Sequence, residues 1–125
     1  LGLSAACDYL QKIGMENIAR HELALAAKIE LYVQAAGGTL YGPPVSKKTS
    51  GIVAFNLPGL PPHQVSVMMD KLSGVAMRSG FFCAQPACEH LGAKSGAARA
   101  SLYLYTTEGD VQKFEQALSQ VKQLI

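Results

Sequence analysis

The sequence predicts an α+β fold in which a small, mostly antiparallel sheet is covered by helices. Three observations lead to it. Apolar residues recur at helical spacing near both ends and once in the middle; short apolar runs of strand length lie between them; and Gly and Pro punctuate these segments. The resulting order is helix, helix, strand, strand, helix, strand, strand, helix. With no internal repeat and no low-complexity stretch, all of residues 1–125 are read as a single domain.

Leu3, Cys7 and Leu10 mark a first helix that Gly14 stops. The second runs from about Glu16 to Ala36, with Ile18, Leu25, Ile29, Tyr32 and Ala36 on one face and Gly37-Gly38 after it. Thr39 to Tyr41 reads as a short strand. A polar, proline-bearing turn follows from Gly42, and Lys47 and Lys48 are solvated there. Ile52-Val53-Ala54-Phe55 has the compact apolar character of a buried strand, and the two strands should pair as a hairpin. Pro61-Pro62 opens a third helix, along which Val65, Met68, Met69 and Leu72 recur at core spacing until Gly74. Val75 to Met77 is expected as a strand and Pro86 to Leu91 as a short helix. Ala100 to Tyr105 should form the last strand, after a Gly/Ala/Ser stretch from Gly92 to Ala98 with little able to pack. Thr107 and Asp110 have the spacing of a capping box, and Val111, Phe114, Leu118, Val121 and Ile125 line the apolar face of the final helix.

Composition narrows the function classes. Eleven Lys+Arg against nine Asp+Glu leave a formal charge of +2, too little for a nucleic-acid-binding module. Hydrophobic residues make up 49% and can build a core, yet only 16% are charged, below the roughly 25% of a free-standing domain. Part of the surface is therefore expected to face another domain or subunit. No apolar run approaches the roughly 18 residues of a membrane span, and the first residues lack the basic region of a secretory signal. Cys7, Cys83 and Cys88 are an odd number without disulfide spacing, which fits a reducing, cytoplasmic compartment and a free thiol. Zinc is disfavoured because His90 alone accompanies the last two. The chain opens on Leu1 rather than Met, and the expectation is a piece of a longer protein.

The sharpest local feature runs from Met77 to Pro86, a strand entering a glycine-bearing loop that ends in Cys83 just before a helix start. Pro86 suits the first helical turn, so Cys83 should lie near free backbone N–H groups, surroundings that favour a thiolate; Arg78 would add a cation. The plainer alternative is a buried structural cysteine. Arg99 at the start of the last strand has a fork suited to bidentate capture of a carboxylate, or is simply a solvated surface residue. His21 is read as a surface residue and His63 as a helix-start residue. His90 lacks an Asn or Asp partner for a Cys/His mechanism, and Cys88 is more simply a packed helix residue than a resolving thiol.

RSGFFCAQP (Arg78 to Pro86), followed by ARASLYLYTT (Ala98 to Thr107), closely resembles the C-terminal segment of cysteine desulfurases of the SufS/CsdA type. These are class V aminotransferase-like, fold-type I pyridoxal phosphate enzymes. LSAACDYLQKIGMENIARHE, LYGPP and SGIVAFNLPGLPPHQV resemble the same family in the same order, so the likeness spans essentially the whole chain. It implies the small C-terminal domain of such an enzyme. It further implies that Cys83 is the nucleophile and persulfide carrier, that Arg99 binds the substrate carboxylate, and that Arg78 is a second active-site arginine.

The implied reaction takes sulfur from L-cysteine, gives alanine, and passes the persulfide to an acceptor protein, as in iron–sulfur cluster assembly. The family's cofactor lysine, ring aspartate and phosphate-binding residues lie in a large N-terminal domain that this chain lacks. The chain alone is thus expected to be inactive and to hold no pyridoxal phosphate, and the full-length enzyme to be a homodimer. Phe81 and Phe82 stand where many relatives have histidines, which removes a polar or proton-handling role there. Two other readings are a stand-alone sulfur carrier loaded at Cys83 and a domain of a selenocysteine lyase-like enzyme.

Overall fold

The computed structural model describes residues 1–124. Helix α1 (Gly2–Ile13) and helix α2 (Met15–Ala35) meet at Gly14, whose φ of 91° turns the chain between them. Strand β1 (Thr39–Tyr41) and strand β2 (Ile52–Asn56) form the expected hairpin, with Leu40 opposite Phe55. Helix α3 (Pro62–Ser73) ends on Gly74 in the left-handed region, where its N–H caps Asp70. Strand β3 (Arg78–Gly80), helix α4 (Gln85–His90), strand β4 (Ala97–Ser101) and helix α5 (Glu108–Gln123) complete the chain. The sheet order is β1-β2-β4-β3 and every pairing is antiparallel. The α+β expectation therefore holds.

Side chains alternate across a strand, and one face carries the core. Val53, Phe55, Ala98 and Ala100 point into it, against Leu25, Ile29 and Val33 of α2, Val65 and Met69 of α3, and Phe114, Leu118 and Val121 of α5. The rings of Phe55 and Phe114 meet edge to face at 6.0 Å. The capping box forms as its spacing predicts: Thr107 Oγ1 accepts from the Asp110 N–H, and Asp110 Oδ2 accepts from the Thr107 N–H. Ile125, placed on the apolar face of α5 by its spacing, lies outside the described residues.

Several expectations change. The strand expected at Val75–Met77 forms at Arg78–Gly80, because ladder hydrogen bonds to β4 set the pairing, while Val75 and Met77 only lean on the core. The last strand begins at Ala97 rather than Ala100 and stops at Ser101. Leu102–Tyr105 turns away instead, with the Thr106 N–H bonded to the Tyr103 carbonyl. Ala93, Ala97 and Ala98 are buried, so the stretch thought unable to pack does so through small side chains. Helix α1 buries nothing, and Leu3 stays exposed. Lys48 is not solvated: it pairs with Glu30 at 3.1 Å, both side chains largely covered, and donates to the Ile52 carbonyl. His21 is half-buried and donates from Nε2 to the Thr106 carbonyl at 2.8 Å. Beside it, buried Glu22 accepts from the Gly51 N–H, fastening α2 to the start of β2.

Candidate active site

Strand β4 organises the face away from the main core. Its pairing with β3 sets Arg78 opposite Arg99, its pairing with β2 sets Arg99 opposite Ala54, and Ala54 faces Tyr41 of β1. Directly paired residues share a face, so Tyr41, Ala54, Arg99 and Arg78 form one row across all four strands. Arg99 sits in the middle of its strand rather than at its start. Like charges placed opposite each other destabilise a sheet, and an anion between them removes that cost. The two arginines, with Ala76, Met77 and Ser101, line an open depression of about 280 Å³.

Arg99 is half-buried, and its Nε is buried without a hydrogen-bond partner among the described residues. Such a donor costs free energy until an acceptor reaches it. The guanidinium carbon lies 4.8 Å from the centre of the Phe82 ring. On the same face, Asn56 Nδ2 donates to the Tyr41 hydroxyl at 3.2 Å and to the Gly96 carbonyl at 2.9 Å, while Asn56 Oδ1 is buried and has no partner among the described residues.

The loop after β3 presents the cysteine. Gly80 has φ 112°, Phe82 φ 56° and Cys83 φ 57°. The Ala84 N–H donates to the Phe81 carbonyl at 2.8 Å, so Phe82 and Cys83 are the central residues of a tight turn with both φ values positive. Gly or Asn enters that region cheaply. A bulky residue costs on the order of 1–3 kcal/mol and stays only where its surroundings hold it. Here Phe81 and Phe82 pack on Cys88, Ala93 and Ala97, and Cys88 Sγ donates to the Phe81 carbonyl at 3.6 Å. Cys83 is left exposed on the outside of the turn, just before α4, which carries Pro86 in its first turn.

All three predicted site residues thus fall on or beside one face. Arg78 and Arg99 are cross-strand neighbours, and Cys83 follows the residue whose ring Arg99 covers. Cys88 is buried, as its place in a short helix implied. Cys7, on the apolar spacing of α1, is exposed, because that helix buries none of its residues against the rest of the described chain. Exposure alone does not distinguish Cys83 from Cys7; what sets Cys83 apart is its place in the strained turn, one residue after the ring that Arg99 covers. His63 belongs to the opposite side of β3, where Nδ1 lies 3.4 Å from Ser79 Oγ, and His90 is exposed. Phe82 is the contact that sequence reading missed, since only strand register reveals that Arg99 reaches it.

Among the described residues no group of three or more His, Cys, Asp and Glu side chains could hold a metal ion, and no helix is long and apolar enough to cross a membrane. The arginine-lined depression contains no lysine, so a carbonyl cofactor held as a Schiff base finds no partner there. What the depression fits is a small anion, a carboxylate above all.

Comparison with known proteins agrees with the fold. The chain is 38% identical over 124 residues to a probable cysteine desulfurase of Halalkalibacterium halodurans, covering 98% of this chain but 29% of that protein. An apo cysteine desulfurase from Thermococcus onnurineus superposes with a TM-score of 0.92 at 33% identity, over 99% of this chain and 30% of that one. The cysteine desulfurase CsdA of Escherichia coli, solved in an S-sulfonic acid form, gives 0.81 at 26% identity, again over 99% of this chain and 30% of that one. The chain therefore spans about 29% of the length of the curated relative it matches. A sequence model of the aminotransferase class-V family matches residues 1–114, and with nearly the whole chain inside that match, this protein belongs to the aminotransferase class-V family.

Proposed function

We propose that this chain is the thiol-bearing domain of a cysteine desulfurase, with Cys83 receiving the sulfur of L-cysteine and Arg99, aided by Arg78, holding the substrate carboxylate. The observation that carries the reading is the juxtaposition of two cross-strand arginines, one with an unpartnered buried N–H, and an exposed cysteine one residue beyond the ring that Arg99 covers. The similarity to cysteine desulfurases over almost all of the chain supports it.

The chemistry follows from the groups present. A carboxylate accepting from the Arg99 fork is fixed in plane and direction, which brings the substrate sulfur into range of a thiolate instead of leaving it to diffuse. Cys83 Sγ then bonds to that sulfur as the substrate carbon–sulfur bond breaks. The electron pair of the broken bond stays on carbon, which gains a proton to become alanine, and the protein keeps a persulfide. Pyridoxal phosphate, when bound, supplies the sink that makes such a pair tolerable on carbon. The residues lining the arginine depression include no lysine for the Schiff base of that group, and that the group is held by protein outside this chain is part of the same proposal. Delivery to an acceptor of iron–sulfur assembly, and a homodimeric full-length enzyme, belong to the same proposal.

The test is Cys83→Ala in the longer enzyme. Persulfide formation should be abolished while cofactor binding persists, and mass mapping of the unsubstituted enzyme after turnover with L-cysteine should place the extra sulfur on Cys83. Extra sulfur on Cys7 or Cys88 alone, or full persulfide yield in the alanine variant, would sink the reading.

A further inference from the structure

The geometry points to Phe82 as a positioning residue for Arg99: its ring is the platform that fixes the guanidinium toward the substrate carboxylate. This rests on the carboxylate-binding role of Arg99 proposed above and adds to it. Three features carry it. The Arg99 guanidinium lies over the Phe82 ring at 4.8 Å, within the range of a cation–π contact. Among the described residues Arg99 Nε has no hydrogen-bond partner, so no acceptor fixes that end of the guanidinium. Phe82 adopts φ 56°, in a turn where Gly or Asn would be cheaper, and its contacts must offset that strain.

The arrangement separates two tasks that a carboxylate partner could not combine. Had an Asp or Glu fixed Arg99, it would occupy the same donors that the substrate needs. A ring holds the cation by its face and leaves the N–H edges free. It also carries no charge or proton of its own. Orientation of Arg99 is therefore independent of pH across the neutral range, which an imidazole at the same place would not provide.

The experiment compares Phe82→Leu, Phe82→Tyr, Phe82→His and Arg99→Ala. Leucine pays the same backbone strain as Phe82 but has no ring face, and tyrosine keeps the face. In NMR of the chain itself, the Arg99 Nε–H resonance should carry an upfield ring-current shift that Phe82→Leu removes and Phe82→Tyr retains. In the longer enzyme, Phe82→Leu should raise KM for L-cysteine roughly three- to thirty-fold, the span of exposed to desolvated cation–π contacts, with kcat nearly unchanged. Phe82→Tyr should restore it, and Phe82→His should show KM rising as pH falls through the usual imidazole range.

An Arg99 resonance unmoved by Phe82→Leu would overturn the stacking. A fall in kcat at constant KM would overturn the assignment to Arg99 and give the ring to the Cys83 turn. Arg99→Ala separates the two levels. If it raises KM while Phe82→Leu does not, the platform fails alone; if it leaves KM unchanged, the carboxylate role itself fails.

Discussion

On the helix-covered face of the sheet, Val53, Phe55, Ala98 and Ala100 are buried against three helices. One residue along each strand, Ala54, Asn56, Arg99 and Arg78 face the other way. The first set is apolar and closely packed. The second set contains the two buried side-chain polar atoms that lack partners among the described residues, together with the like-charged cross-strand pair, and beside it lies the turn with two non-glycine residues at positive φ. The same strands make both faces, so the difference comes from the two-residue alternation alone. The main core lies on one side, and the other holds polar groups left without partners among the described residues, which the proposed carboxylate-binding role would satisfy.

The strongest way to test that division is to cut the core side. Phe55 is fully buried and meets Phe114 edge to face, so Phe55→Ala should lower unfolding stability by about 3–5 kcal/mol, the sum of lost transfer energy and a cavity that the sheet cannot close. Arg99→Ala, on the opposite face, should change stability by no more than about 1 kcal/mol, because it also removes a like-charge neighbour of Arg78. Urea denaturation of the two variants measures both. Comparable losses would show that the two faces are energetically one.

The reverse cut should leave the fold and strike function. Arg99→Lys keeps the charge but loses the planar fork, and in the longer enzyme it should reduce kcat/KM for L-cysteine by one to two decades, about 1.5–3 kcal/mol. Thermal unfolding should stay close to that of the unsubstituted protein. Unchanged kinetics would remove Arg99 from the site.

How much of this was visible in the sequence follows from which interactions are local. Helices α2, α3 and α5 were legible because their apolar spacing and their boundaries, Gly74 and the Thr107/Asp110 box, are local in the chain. The starts of strands β3 and β4 were misplaced by three residues each, since pairing register depends on a partner strand distant in sequence. Alanine-rich β4 gave little strand signal; small residues suit its central place between β2 and β3. Arg78, Cys83 and Arg99 stood out through the motif that carries them. Phe82 stood out only as a departure from the motif, and its contact with Arg99 did not, because Arg99 lies on a strand seventeen residues further along the chain. Lys48 looked solvated for the same reason, its partner Glu30 lying on α2.

The finest adjustment of the comparison acts on the core side without touching a core side chain. Helix α5 brings Phe114 onto Phe55, and its first turn is closed by Thr107 and Asp110, so Thr107→Ala should lower stability at neutral pH by about 1 kcal/mol while leaving the Arg99 resonance in place. Its pH dependence follows from the box. Hydrogen bonds from the Thr107 hydroxyl and then from the Thr107 N–H hold the Asp110 carboxyl below the ordinary carboxylate range. A depressed folded value contributes stability that is present above the unfolded value and is lost as pH falls through the folded one. In acid the carboxylate takes up its proton, and the hydroxyl loses the charged acceptor that it served. The gap between the unsubstituted protein and Thr107→Ala should therefore narrow on acidification. It should not vanish, because Thr107 Oγ1 still accepts from the Asp110 N–H. Urea titrations at neutral and acid pH read the gap directly; a constant gap would mean that the hydroxyl caps the helix without the carboxylate.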